Sequence, residues 1–321
     1  MRTHLITGGA GFIGSNLARS LCAAGEAVLL VDDLSNGRME HVADLTASGA
    51  ALFRRADCSD AAALLAAIEQ AGVGPIDEVW HLAANSDIAA GVSDFNVDVR
   101  RTYLTTVATL DVMRRIGVGV IRFASTSAVY GDLGDVAITE ESGPLEPVSA
   151  YGAAKLASEA LIRSCCESFV RRADIYRFPN VVGAPATHGV LLDFVRKLKA
   201  TPENLSVLGN GGQQKPYLHV AELIEAMQFI AAQAAAPYLV VNIGPPDDGV
   251  TVRAIAEMVR DAVSPAAAIT YGQGARGWVG DVPRFRYSGE RLRALGWPGA
   301  GGSEAAVRRA LGEIIVQEQA A

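Results

Sequence analysis

The chain has 321 residues, 50% of them apolar and 20% charged, with 33 Gly and 13 Pro, a composition that excludes a disordered or collagen-like protein. A net charge of -7 with no basic run excludes the electrostatic footprint of a nucleic-acid binder. No apolar stretch reaches the roughly 18 residues that span a bilayer, and the cysteines Cys22, Cys58, Cys165 and Cys166 lack metal-type spacing, so neither a membrane partner nor a disulfide framework is expected.

The N-terminus runs straight into Leu5-Ile6-Thr7-Gly8-Gly9, too short an apolar run for a signal peptide, and a cytoplasmic protein is expected. Strands are predicted at Leu5–Thr7, Ala27–Val31, Ala50–Arg54, Glu78–Leu82, Val120–Ala124 and Ile175–Phe178, with helices near 12–24, 59–70, 95–116 and 150–171. That alternation predicts an α/β fold, a Rossmann-type doubly wound parallel sheet. Beyond Pro179 the elements shorten and Gly and Pro become frequent, which predicts a smaller lobe. A helix at Val220–Ala234 and a strand at Tyr238–Ile243 return to the sheet. The expected division is therefore 1–178 plus about 220–245 for a dinucleotide, and 179–219 plus about 246–321 for a substrate.

The first strand ends in Thr7-Gly8-Gly9-Ala10-Gly11-Phe12-Ile13-Gly14, and an amphipathic helix follows at once. Glycines there let the backbone approach a pyrophosphate, which meets the N–H groups of Phe12 and Ile13 at the helix start. Gly9, Gly11 and Gly14 match the dinucleotide fingerprint literally, and Gly8, Gly11 and Gly14 give a second reading. Asp32 and Asp33, with Asn36 beyond them, close the second strand, 18 residues from Gly14 to Asp32. A carboxylate there accepts hydrogen bonds from ribose hydroxyls and repels a 2′-phosphate, so NAD is expected rather than NADP. Asp57-Cys58 and His81-Leu82-Ala83-Ala84, past the third and fourth strands, complete the cofactor wall.

Tyr151 and Lys155 are four residues apart at the start of a predicted helix and project from one face. A nearby ammonium stabilises a phenolate, which turns a poor base into a usable one. The strand Val120–Ala124 delivers Ser125-Thr126-Ser127 to the sheet edge where open parallel sheets bind ligands, and a hydroxyl there can hold the oxygen being deprotonated. The five histidines are scattered without ligand spacing, so no metal is expected.

In the order of these motifs, together with Arg177-Phe178-Pro179-Asn180-Val181-Val182-Gly183 and Tyr217-Leu218-His219-Val220, the chain resembles the extended short-chain dehydrogenase/reductase family, in its nucleotide-sugar epimerase and dehydratase group. The resemblance implies Tyr151 as base, Lys155 on the nicotinamide ribose and Thr126 as the main hydroxyl, with Ser125 close to the cofactor and Phe178 beside the nicotinamide. For the nucleotide sugar it implies Ser86, Ser127, Asn180, Val190, Val207, Lys215, Tyr217 and Asp281. It also implies a homodimer paired through the helices near 95–116 and 150–171. Two positions depart from the family: Lys215-Pro216 stands where an Arg-Asp pair is common, and Asp98 where an Asn usually precedes Gly-Thr.

A 4,6-dehydratase of this group carries Asp-Glu directly after the Thr, whereas here Ser127 and Ala128 follow it. Without a carboxylate to protonate the leaving hydroxyl, elimination loses acid catalysis worth about 10²–10⁴. The Ser125–Gly131 string resembles instead the UDP-glucose 4-epimerases, which oxidise the sugar at C4, let the 4-keto sugar turn, and reduce it again. A 4,6-dehydratase or 4-keto reductase is the alternative within the fold, and a non-catalytic dinucleotide-binding protein the alternative of another class.

Overall fold

Seven short runs, rich in valine, leucine and isoleucine, form one sheet in the computed structural model, which describes residues 1–134, 136–233, 236–274, 282 and 284–320. They are β1 (Thr3–Thr7), β2 (Ala27–Asp32), β3 (Ala51–Arg55), β4 (Glu78–His81), β5 (Val120–Thr126), β6 (Arg172–Phe178) and β7 (Tyr238–Asn242), in spatial order β7-β6-β5-β4-β1-β2-β3. Pairing among β1–β5 is parallel throughout, with Thr7 opposite Val31 on one side and His81 on the other. The chain steps outward from β1 to β3 and then crosses to β4, so the order reverses at β1/β4. That reversal opens a crevice at the carboxyl ends of the strands.

The covering helices include α1 (Phe12–Ala23), α2 (Ala61–Ala71), α3 (Leu104–Ile116) and α4 (Ala150–Cys165). Because both faces of the sheet are covered, β1, β2, β4 and β5 are buried almost without break rather than alternately. One apolar cluster joins Leu5, Val79 and Phe123 of the sheet to Leu64, Met113 and Ile162 of the helices. On β4, β5 and β6, Glu78, Arg122 and Asp174 form a buried ionic row, with His4 Nδ1 3.0 Å from Glu78. Burial raises Glu78, but His4 and Arg122 outweigh it and hold the carboxyl down at about 2.

Contacts divide the chain into Met1–Val129, Ser149–Arg177 and Met227–Val241 as one unit, and Tyr130–Val148, Phe178–Ala226 and Asn242–Ala321 as the other. The excursion 130–148 therefore falls in the second unit, where the sequence reading kept it in the first. Its own bonds account for that: Ala137–Ile138 pairs with Arg286–Tyr287, and the Tyr130 hydroxyl donates to Asn242 Oδ1 at 2.8 Å. The second unit has small two-stranded pairings and a core in which Leu191, Phe194, Leu205, Ile255, Val259 and Leu311 meet.

Two helices differ from expectation. The segment near 95–116 consists of a turn at Asn96–Asp98, a π turn at Val99–Tyr103 and then α3. The helix from Ala150 stops at Cys165, because Ser168, Phe169 and Val170 all turn their N–H groups back to Cys165 and Val170 enters the core before β6. Among the described residues no helix is long and apolar enough to cross a membrane, and no group of three or more His, Cys, Asp or Glu is arranged to hold a metal.

Candidate active site

At the β1/β4 reversal the turn after β1 has no room for side chains. Gly8 has φ of +71°, and a Cβ on it would lie 2.7 Å from Ala83 N at the exit of β4. A Cβ on Gly14 would lie 2.2 Å from Gly8 O, and one on Gly11 3.2 Å from the same atom. Gly9 turns inward, where a Cβ would meet Leu30 at 2.8 Å. Gly8, Gly11 and Gly14 thus form the tight cradle, and Gly9 packs on the core. Helix α1 begins at Phe12 with no side-chain cap and no acid in its first turn, so its positive end faces the cradle through Phe12 and Ile13. These features fit a pyrophosphate held by backbone.

Asp32 is buried at the end of β2, where it accepts from Ala10 N–H at 3.0 Å and Leu34 N–H at 2.8 Å. Burial raises its carboxyl and the two backbone bonds oppose the rise, which keeps a fixed acceptor beside the glycine turn. Asp33 accepts from Ser35 N–H at 2.8 Å, and Asn36 is exposed. Asp57 holds the turn after β3 through Ser59, while Cys58 is buried and its thiol is pushed up by burial. Leu82, Ala83, Ala84 and Ser86 follow β4 in line. His81 itself is a strut: its ring bonds Thr7 at 2.7 Å and Thr106 at 3.0 Å, and Thr106 donates to Ser158 of α4 at 2.9 Å. Burial pulls His81 down to about 3, so it is neutral.

Ser149 caps α4 by accepting from Gly152 N–H at 3.1 Å, which starts the helix one residue before Tyr151. Tyr151, Lys155 and Glu159 then fall on one face. Lys155 is buried against β5, donating to Ala124 O at 2.6 Å with its ammonium 4.7 Å from the Phe123 ring and 5.9 Å from the Tyr151 ring. Burial pulls Lys155 down to about 7, against Glu159 and Asp98. Burial also pushes Tyr151 up to about 12; its hydrogen bond with Thr126 opposes this and Asp98 adds to it. The lysine therefore does not bring the phenol down by itself, because the same desolvation weakens the ammonium that would do so.

Of the three hydroxyls on this edge, Thr126 is the one bonded to Tyr151. Ser125 is fully buried and its hydroxyl donates to Glu159, which also receives two bonds from Arg177, at 3.0 and 2.6 Å. Ser127 is half-buried at the start of a 3-10 turn. Sequence reasoning missed Glu159, although its i+4 spacing from Lys155 was the available signal, and it missed Asn85, which bonds Asp98 at 3.0 Å.

Phe178, Asn180, Val190, Val207, Lys215 and Tyr217 lie in the second unit. Asn180 is exposed and sits opposite Tyr217 in a parallel pair, and Lys215 sits opposite Val250 in an antiparallel one. Phe178 and Val207 are buried, and Val190 opens the helix Val190–Ala200. Asp281 lies outside the described residues.

A model described as the NAD dependent epimerase/dehydratase family matches residues 4–244. The UDP-glucose 4-epimerase of Corynebacterium glutamicum is 31% identical over 273 residues, 80% of this chain and 79% of that protein. A crystal structure of UDP-galactose 4-epimerase superposes with a TM-score of 0.85 at 33% identity, covering 98% of this chain and 99% of that one. The Thermus thermophilus UDP-glucose 4-epimerase, solved in complex with NAD, gives 0.84 at 28% identity with the same coverages.

Proposed function

Since the chain belongs to the NAD-dependent epimerase/dehydratase family, we propose that it is a UDP-hexose 4-epimerase working by transient oxidation at C4. The observation that carries this reading is the Thr126–Tyr151–Lys155 cluster with no acid directly after the hydroxyl: Ser127 and Ala128 follow Thr126, and the nearby Glu159 is consumed by Ser125 and Arg177.

NAD, when bound, would supply the hydride acceptor and donor for oxidation and re-reduction at C4 of the sugar. Gly8, Gly11 and Gly14 with the start of α1 would hold its pyrophosphate and Asp32 its adenosine ribose. Thr126 orients the sugar 4-hydroxyl toward Tyr151. Tyr151 takes the hydroxyl proton as C4 is oxidised and gives it back to the ketone oxygen as C4 is reduced, so no proton is gained or lost overall. Lys155, fixed on Ala124 O, favours the phenolate while it is charged. Asn180 and Lys215 are the diphosphate ligands in this reading, the first unit carrying the cofactor and the second the nucleotide sugar, in a cytoplasmic enzyme. Supplied with UDP-galactose, the purified protein should form UDP-glucose, and UDP-glucose should form UDP-galactose, both ending at one mixture by proton NMR. Accumulation of a 6-deoxy-4-keto sugar instead would make it a dehydratase.

The assembly proposed is a homodimer. Phe95, Val99, Leu104 and Val107 are exposed along one helical stretch, Phe95 by 64%, and Phe95, Val99 and Tyr103 line an apolar hollow with Ala150, Ala153 and Ala157 of α4. A second copy of this surface would bury it. Light scattering should give twice the 33.6 kDa chain mass, falling to the single mass in Phe95→Asp. A 33.6 kDa species in the unsubstituted protein at micromolar concentration rejects the dimer.

A further inference from the structure

We propose that Asp98 is a positioning residue for the proton-transfer pair, a buried carboxylate that keeps Lys155 charged and sets the pH range over which Tyr151 exchanges its proton. The inference rests on the reading of Tyr151 as the base. It starts from the π turn Val99–Tyr103, a widened coil of the kind that marks functional positions, which follows Asp98 directly. Asp98 is 1% exposed. Its Oδ1 accepts from Asn85 Nδ2 at 3.0 Å, and Asn85 is itself immobilised, donating its N–H to Thr102 Oγ1 at 3.0 Å and exchanging bonds with the Asp87 backbone at 2.8 and 3.0 Å. The other oxygen, Oδ2, is buried without a hydrogen-bond partner and pressed on Gly91, where a Cβ would lie 1.9 Å from it.

A buried anion needs a compensating charge. The coil that carries Asp98 packs on α4, where its Phe95, Val99 and Tyr103 line a hollow with Ala150, Ala153 and Ala157. Burial raises the Asp98 carboxyl; the donors Asn85 and Thr102 and the charge of Lys155 oppose the rise, while Asp87, at the N-cap of the helix Ile88–Ser93, adds like charge, and Tyr151 feels the same carboxylate. The arginines of Asp98's own coil, Arg100 and Arg101, are exposed, and Arg100 pairs with Asp94 at 3.6 Å. Lys155 in turn faces Glu159, whose charge is shared with Arg177. The carboxylate thus acts on both members of the pair with one sign: it favours the ammonium on Lys155 and disfavours the phenolate on Tyr151.

An amide of the same shape keeps the packing and removes the charge, so Asp98→Asn isolates the effect. The chain has only four lysines, Lys155, Lys197, Lys199 and Lys215, which makes the Lys155 side chain readable by NMR of the protein with 13C-labelled lysine. Tyr151 is read by tyrosinate absorbance as the difference from Tyr151→Phe. In the NAD-loaded protein both midpoints should move to lower pH by about one unit in Asp98→Asn, and the whole kcat–pH profile with them. Midpoints that stay in place while the rate falls would overturn the proposal. Should Asp98→Asn not fold, the unsubstituted protein still decides. Its Lys155 resonance should carry a second, smaller inflection on the acid side, where Asp98 gains its proton, and a flat trace there counts against the role. Turnover surviving in Tyr151→Phe would remove the base assignment, whereas the Lys155 titration reads Asp98 independently of turnover.

Discussion

Replacing Tyr151 by Phe should abolish measurable epimerisation while leaving the protein folded. In the proposed mechanism the phenol moves the 4-hydroxyl proton in both half-reactions, and general acid–base catalysis of this kind is worth about 10²–10⁴ in each, or about 3–5 kcal/mol of barrier. The structural loss is the hydrogen bond with Thr126, about 1 kcal/mol. Thermal unfolding should therefore shift by a few degrees at most, and retained NAD should be near normal. Thr126→Val should cost less, about 10–100-fold, as it removes one hydrogen bond to a group that becomes charged. Ser125 cannot take over, since its hydroxyl is committed to Glu159. Near-normal kcat in Tyr151→Phe would show that another residue moves the proton.

The second large effect is expected at Gly14. The methyl group of Gly14→Ala would lie 2.2 Å from Gly8 O and 2.9 Å from Gly9 Cα, both backbone atoms that cannot swing aside. The turn must open, at a cost of about 3 kcal/mol, and opening it spoils the cradle that the pyrophosphate needs. The variant should unfold at lower denaturant concentration and release most of its NAD on gel filtration. Gly312→Ala is the control: in the helix Ser303–Ala320 its Cβ has nothing within 4 Å, and removing a helix-interior glycine should stabilise by about 0.5–1 kcal/mol. A Gly14→Ala protein with full cofactor content would contradict the geometry of the turn.

The parts of this site legible in sequence are those encoded by local spacing. The glycine turn, the acid at the end of β2, and Tyr151 with Lys155 each occupy one strand exit or one helix face, so periodicity and offset suffice to find them. Even there two glycine readings stand open in the sequence, and the approach of Gly8 to Ala83, with Gly9 turned onto Leu30, separates them. What could not be read depends on contacts between distant segments. Ser125 meets Glu159 across 34 residues, and Arg177 meets Glu159 across 18, so whether a serine hydroxyl is free or spent is decided by packing. The break at 95–103 is hidden for a related reason: no Gly or Pro marks it, and it coincides with the burial of Asp98 and Thr102 against Asn85, a contact between distant segments. The assignment of 130–148 to the second unit likewise rests on Ala137–Ile138 finding Arg286–Tyr287 far along the chain.

The pH behaviour of the pair also emerges only from the fold. Proximity of an ammonium to a phenol suggests a lowered phenol, yet burial moves both groups toward their neutral forms, Lys155 down to about 7 and Tyr151 up to about 12.

The central claim is that one hydride leaves C4 and returns to the same carbon from the other side. UDP-galactose deuterated at C4, incubated with the enzyme in ordinary water and followed by deuterium and proton NMR, tests it directly. Both epimers should keep the deuterium at C4, and the companion reaction of unlabelled substrate in deuterated water should leave C4, C5 and C6 free of label. Washout of deuterium from C4, or solvent deuterium appearing at C5, would contradict it.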